Sequence, residues 1–357
     1  MKYMATNNSL HIARAAKKDE FYTQYDDIKK EVENYVEYNP DVFRNKIILL
    51  PCDDPEWSNF TKYFAENFER FGIKKLISTS FAGSLSNKTI SKFERNYKGY
   101  NSQKHDSCGK IFILDKDINN SGTIDFNDIQ FHYLQGDGDF RSKEVTRLRD
   151  EADIIITNPP FSLFREFFKW ITEANKQFLI IGNVNSITYK EVFREIKNNK
   201  VWLGTGLGRW ISGFIVPDFY ELYGTEARLS ESGQRIIATN NALWLTNLDH
   251  NKRHNMMKLH SMADNLKNNT KVIRRLKNKY NSITYPKYDN YDAIEIPYTD
   301  AIPSDYQGAM GVPITFLDRY NPKQFEIIRF RKGNDDKDLS INGKNPYFRI
   351  IIKAKQE

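Results

Sequence analysis

A chain of 357 residues with a net charge of +7, 39% hydrophobic and 28% charged residues can hold one sizeable α/β domain plus a smaller second unit. That balance excludes a disordered polyelectrolyte, and no apolar run approaches the roughly 20 residues of a membrane span. Cys52 and Cys108 form neither a C-x-x-C pair nor a zinc-type spacing, and the N-terminal segment has no signal-like apolar stretch, so a reducing cytoplasm is the expected compartment.

In chain order, mixed charged and apolar residues over 26–36 predict a helix that ends before Asn39-Pro40. Residues 46–50 are a short apolar run closed by Pro51, the pattern of a buried strand. Phe60, Phe64, Phe68 and Phe71 then mark a helix stopped by Gly72, and 75–79 a second strand. Strand, helix, strand in that order predicts a parallel α/β sheet. Residues 82–135 read as an insertion, polar at first and then carrying strands at 111–114 and 129–133 around a turn-rich loop. Alternation resumes with a helix at 144–152, a strongly apolar strand at 153–157, a helix at 164–174, a strand at 178–182 and a helix at 189–197. This region belongs to the doubly wound class. After Val201 the chain turns aromatic and glycine-rich, with a strand near 242–245.

A boundary near residue 250 introduces a basic window. Between His250 and Tyr280 nine Lys or Arg meet one acid, Asp264, so the rest of the chain is about neutral. Lys252, Arg253, Lys271, Arg274, Arg275 and Lys277 in this window are candidates for holding phosphates, although a solvated helical face has the same composition. A Tyr/Pro-rich stretch over 285–306 and a strand at 348–352 complete the chain.

The most informative motif is Asn158-Pro159-Pro160-Phe161, at the carboxyl end of an apolar strand, where open α/β sheets bind ligands. Two prolines fix the backbone and remove donors, so their carbonyls and the Asn158 amide oxygen can act as acceptors. Acceptors on both N–H groups of an exocyclic amine such as adenine N6 favour a more nucleophilic nitrogen, and Phe161 offers a ring to stack on. A rigid strand-to-loop turn is the competing reading. The run 117–128, with Asp117, Asn119, Ser121 and Asp128, matches a calcium-loop spacing, but its strand-like flanks favour a polar hairpin turn and no metal is expected.

D-I-I-I-T-N-P-P-F over 153–161 resembles the catalytic motif of amino-methyltransferases with a Rossmann-like fold, which glutamine- and RNA-modifying enzymes share. K-K-D-E-F-Y-T-Q over 17–24 resembles the F-Y-T segment of adenine-N6 DNA methyltransferases, and C-D-D-P over 52–55 stands where they carry a first cofactor loop. With G-V-P-I-T-F-L-D-R-Y-N-P-K-Q-F-E-I-I over 311–328, nearly the whole chain resembles the EcoRI-type adenine-specific DNA methyltransferase family.

The resemblance implies a Rossmann-like, doubly wound methyltransferase domain over 1–250, with the 82–135 insertion, and a basic, Tyr/Pro-rich target-recognition region over 251–357. It implies S-adenosyl-L-methionine as cofactor and methyl transfer to N6 of an adenine flipped out of duplex DNA. The setting would be a restriction-modification system, with a possible companion endonuclease but no stable complex. Asn158, Pro159, Pro160 and Phe161 carry the catalytic role. Phe21, Tyr22, Thr23, Asp53, Asp54, Asp139 and Phe140 carry cofactor binding, with Asp139 favoured over Asp137 because it directly precedes Phe140. The first loop departs from the wider pattern in having no G-x-G, and no acid ends the second strand, Ser78-Thr79-Ser80-Phe81. An RNA or protein N-methyltransferase and a catalytically dead DNA-binding module are the alternatives.

Overall fold

The computed structural model describes residues 21–83, 90–207, 211–216, 227–230, 233–237, 241–331, 339–344 and 348–355. They divide into two compact units, one within Met1–Ser186 and Leu203–Asp249, the other within Ile187–Trp202 and His250–Glu357.

The first unit carries β1 (Tyr22–Thr23), β2 (Ile47–Pro51), β3 (Lys75–Ser80), β4 (Lys110–Leu114), β5 (Gln130–Tyr133), β6 (Ile154–Thr157) and β7 (Gln177–Asn183). Beyond these lie β8 (Trp202–Leu207), β9 (Phe214–Val216), β10 (Ala227–Leu229), β11 (Arg235–Ile237) and β12 (Ala242–Thr246). An eight-stranded mixed sheet runs β5-β4-β3-β2-β6-β7-β12-β8. Its centre, β3-β2-β6-β7, is parallel. The sequence explains why: Ile48, Leu49 and Leu50 and the Ile154–Ile156 run are fully buried, as unbroken apolar strands covered on both faces must be. A second sheet, β1-β9-β11-β10, is antiparallel.

One element differs from the sequence expectation, and one pairing goes beyond it. The expected 60–71 helix breaks at Asn67 into α2 (Asn59–Glu66) and a single turn, Phe68–Phe71, which Gly72 ends with φ 62°. The two strands within 82–135 pair antiparallel with each other, and β4 also pairs antiparallel with β3, so they extend the main sheet. The polar sequence between them hid this because pairing partners are set by tertiary contacts rather than by local pattern.

The helix between β1 and β2, α1 (Tyr25–Tyr38), is tied down through Glu31, which is fully buried. Its carboxylate accepts from Tyr35 Oη at 2.8 Å and, on β8, from Thr205 N at 2.8 Å and Thr205 Oγ1 at 2.6 Å. Close approach here demands glycine at 204, where a Cβ would come within 2.3 Å of Glu31 Oε1 and 2.5 Å of Trp244 Cβ. The helices α3 (Lys143–Glu151) and α4 (Phe164–Glu173) lie on either side of β6 in the chain, α3 opened by a Ser142 cap on Val145 N.

The second unit contains α5 (Lys190–Lys197), α6 (Met262–Asn268) and α7 (Thr270–Tyr280) with a sheet ordered β13-β14-β16-β15. These strands are β13 (Ile294–Glu295), β14 (Met310–Pro313), β15 (Phe325–Arg331) and β16 (Arg349–Ala354). Among the described residues no helix is long and apolar enough to cross a membrane. Glu295 is fully buried and receives Arg349 Nε at 2.9 Å and Nη2 at 2.5 Å, Tyr280 Oη at 2.6 Å and Tyr288 Oη at 2.5 Å. This cluster fastens the end of α7 to β13 and β16. A buried ion pair broken on one side leaves an uncompensated charge, so Arg349→Met should destabilise the chain by about 3–5 kcal/mol in denaturant unfolding. Glu295→Gln with Arg349→Met should recover most of that loss, and a single variant near wild-type stability would contradict the assignment.

Candidate active site

At the carboxyl ends of the parallel strands lies a cavity of about 390 Å³, within the roughly 300–1,000 Å³ of small-molecule clefts. Five segments far apart in sequence line it. The first loop turns without glycine because Cys52 takes φ 87°, with the Cys52 and Asp53 N–H groups both bonded to Thr79 O at 3.0 and 2.8 Å. Holding a non-glycine residue there costs about 1–3 kcal/mol, which the two hydrogen bonds offset.

Asp53 is buried and its carboxyl is surrounded by hydroxyls, Ser58 Oγ at 2.6 Å from Oδ1 and Thr157 Oγ1 at 2.5 Å from Oδ2. The single Thr157 proton also faces Pro51 O at 2.8 Å and can serve only one acceptor. A protonated Asp53 completes the set, and burial indeed pushes its pKa up to about 7. Burial likewise raises Asp54 to about 6. Neither acid forms an ion pair among the described residues, so a cation entering the cavity would meet two poorly solvated carboxyl groups.

Asn158 follows β6. Its Nδ2 donates to Phe21 O at 2.7 Å, which fixes the amide orientation, and its buried Oδ1 has no hydrogen-bond partner among the described residues. Two further residues of the lining, Thr23 and Ser80, carry a buried hydroxyl oxygen in the same condition. Buried polar groups are normally satisfied, so three orphans around one cavity point to a polar ligand. Pro160 lines the cavity, but its carbonyl accepts Leu163 N at 2.9 Å and is committed to the turn. Pro159 is buried, and neither it nor Phe161 belongs to the cavity lining. Contrary to the expectation of an open stacking face, the Phe161 ring stacks on Phe21 at 5.9 Å and meets Phe214 edge-on at 6.1 Å.

The 136–140 loop completes the wall. Gly138 has φ 81°, and a Cβ there would come within 2.4 Å of Ser80 O, so this turn needs glycine. Asp139 receives Arg141 Nε at 2.9 Å and Nη2 at 2.6 Å, and the Arg141 guanidinium holds its carboxyl below the usual range. Phe140 is buried against Phe167 and Trp170, with ring centroids at 5.1 and 5.5 Å.

The structure therefore gathers Phe21, Tyr22, Thr23, Asp53, Asp54, Asp139, Phe140, Asn158 and Pro160 around one space. Residues 17–20 of the K-K-D-E-F-Y-T-Q segment lie outside the described residues. Sequence reading missed Ser58, Ser80 and Arg141, all on the lining. The available signals were weak: a helix-capping serine, a serine at a strand end, and an arginine two residues beyond Asp139.

The other candidates lie elsewhere. In 117–128 the side chains serve the local backbone: Asp117 accepts Gly122 N at 2.8 Å, Asn119 accepts Ser121 N at 2.8 Å, and Asp128 accepts Ile118, Asn119 and Asp125 N–H groups at 3.0–3.2 Å. In the second unit Lys252 pairs with Asp318 at 2.5 Å, and Arg253 lies 3.6 Å from the Trp202 ring centre and bonds Asn199. Both are engaged within their own unit, which the sequence did not foresee. Lys271 sits 4.3 Å from the Tyr298 ring centre. Arg274, Arg275 and Lys277 on α7 are exposed, with no ion pair among the described residues.

A sequence model of the family described as Adenine-specific methyltransferase EcoRI matches residues 9–355. The chain is 51% identical to the Type II methyltransferase M.EcoRI of Escherichia coli, over 99% of this chain and 98% of that protein. It is 34% identical to the Type II methyltransferase M.MgeORF184P of Mycoplasma genitalium and 30% identical to M.MpnI of Mycoplasma pneumoniae, each over 96% of this chain and 98% and 97% of theirs. No solved structure matches the chain. With the family match spanning nearly its whole length, the chain belongs to the EcoRI family of adenine-specific methyltransferases and is a site-specific DNA methyltransferase.

Proposed function

We propose that the cavity at the ends of β2, β3 and β6 is where S-adenosylmethionine meets an adenine flipped out of duplex DNA, and that methyl transfer there modifies N6. The observation that carries this reading is the Asn158 amide. Its nitrogen is anchored to Phe21 O, and its buried oxygen, on a residue of the cavity lining, has no hydrogen-bond partner among the described residues. An amino group donating to that oxygen repays the desolvation and is held in one orientation, which is what a weak nucleophile needs. The proline-fixed turn keeps the acceptor in place without adding backbone donors.

Bound S-adenosylmethionine supplies a methyl group on a positively charged sulfur. Asp53 and Asp54 suit its cationic methionine end, since both are buried acids without an ion-pair partner among the described residues. Asp139 and Phe140 suit the adenine end, as a carboxylate acceptor fixed by Arg141 and a flat apolar wall. On this reading the mixed sheet is a Rossmann-like methyltransferase core. Residues 251–357 form the target-recognition region, with Arg274, Arg275 and Lys277 on phosphates. Type II relatives support a place in a restriction-modification system, with a companion endonuclease acting on the same sequence.

If Asn158 holds the target amine, Asn158→Ala should keep folding and cofactor binding while lowering single-turnover methylation of duplex DNA at least about 100-fold, or about 2.7 kcal/mol. A normal rate per folded, cofactor-loaded molecule would refute the mechanism, and parallel assays on RNA and protein would expose a different substrate.

Neutralising Arg274, Arg275 and Lys277 together should weaken binding to all duplex sequences alike and make the salt slope shallower by up to about three units. An unchanged slope would assign α7 to solvent.

Asp53 gives a pH signature. Its raised pKa means that the folded chain keeps a proton the unfolded chain has lost. That contribution to stability is full below about pH 4 and is lost as pH rises through about 7. Asn has the shape of the neutral acid, so without cofactor Asp53→Asn should match wild type near pH 4 and become progressively more stable than wild type toward pH 8, while binding the cofactor more weakly. Parallel pH–stability curves would show that Asp53 is ionised in the free protein.

A further inference from the structure

β15 lies at the edge of the second unit's sheet and carries two arginines, Arg329 and Arg331, at alternate positions. A bulge between Ile327 and Arg329 resets the strand, so that Ile327 stays buried while Arg329 is exposed. Phe330 between the arginines turns the other way and packs on Phe193 of α5 at 5.2 Å and on Phe348 at 6.0 Å. Both guanidinium carbons lie 5.6 Å from the centre of one ring, that of Tyr291. Neither arginine forms an ion pair among the described residues, and the buried Nε of Arg331 has no hydrogen-bond partner there.

The register says where this face lies. Arg331 pairs with Arg349 on β16, and directly paired residues point to the same side of a sheet. Arg349 meets Glu295, which also receives Tyr280 at the end of α7. Arg329 and Arg331 therefore share a sheet face with the end of the helix whose Arg274, Arg275 and Lys277 are exposed. The two groups of cations differ in one respect. Those of α7 have no ring contact among the described residues, and a phosphate asks for little more than such a charge. Arg329 is held against a ring, a contact that uses the charge of the guanidinium and leaves its N–H donors free. A fork of donors whose direction is fixed before binding suits an edge with two acceptors side by side. In the major groove that edge is O6 and N7 of guanine.

We infer that Arg329 reads a guanine of the target duplex, with Tyr291 as its positioning residue and Arg331 bracing the ring. The inference rests on the target-recognition role proposed above for residues 251–357.

The test begins by sequencing DNA methylated by the full chain, which gives the recognised sequence. Binding and single-turnover methylation per folded molecule are then measured on duplexes altered at each of its guanines. Wild type should lose about 10- to 100-fold when the guanine in question is replaced by another base or by 7-deazaguanine, which lacks the N7 acceptor. Arg329→Lys, which keeps the charge without the fork, and Arg329→Ala should both lose discrimination at that position and keep it at the others. Tyr291→Leu should lose part of it, whereas Tyr291→Phe, which keeps the ring, should not. A recognised sequence without guanine, or unchanged discrimination in Arg329→Ala, would overturn the base contact. So would weakening that is uniform over all sequences with a salt slope shallower by about one unit, which would make Arg329 a phosphate contact. If the triple α7 variant still flattens the salt slope in any of these cases, the second unit remains the DNA-binding region and only the role of Arg329 falls. An unchanged slope in the triple variant together with unchanged discrimination in Arg329→Ala would overturn both.

Discussion

The first unit depends on one junction, the buried Asp53 at the carboxyl edge of the parallel strands. Its N–H bonds Thr79 O, its carbonyl accepts from Thr61 and Ser78, and its carboxyl meets Ser58 and Thr157. One residue thus links the ends of β2, β3 and β6 with the capped start of α2. Because all these partners are hydroxyls and amides, the acid is tightly held yet electrostatically uncompensated. The same arrangement that closes the strand ends sets this acid, without an ion-pair partner among the described residues, on the wall of the cavity.

A second constraint acts across the longest sequence distance. Asn158 would be an ordinary strand-end amide without the Phe21 carbonyl, which belongs to a segment 137 positions earlier in the chain. Phe21 reaches it because β1 pairs with β9 and because the Phe21, Phe161 and Phe214 rings pack together. The F-Y-T segment therefore acts on the proposed reaction in two ways, by lining the cavity and by setting which face of the amide is free. Phe161, the aromatic residue of the motif, is occupied in holding this arrangement.

The second unit separates its charges by burial. Arg349 and Glu295 are enclosed with two tyrosine hydroxyls and serve the fold. Lys252 and Arg253 are engaged by an acid and an indole ring, whereas Arg274, Arg275 and Lys277 on α7 are exposed and without an ion pair among the described residues. Counting basic residues across 250–280 overstates what is available to phosphates.

Local pattern determined much of this protein. Unbroken apolar runs such as Ile154–Ile156 could only be buried strands, and Asn158-Pro159-Pro160 after such a run puts an amide at a strand end. Family membership was legible for the same reason, since its motifs are contiguous. What the tertiary structure decided was everything set by distant partners. The pattern of 111–114 and 129–133 showed strands but not that they extend the main sheet. The sequence of the first loop showed missing glycines but not that Cys52 adopts their conformation. Ser80 looked like any strand-end serine, and only folding shows its hydroxyl oxygen buried without a partner among the described residues. Periodicity reports which side chains are apolar and how they alternate. Whether a polar atom is satisfied depends on the atoms that folding brings to it, and those come from elsewhere in the chain.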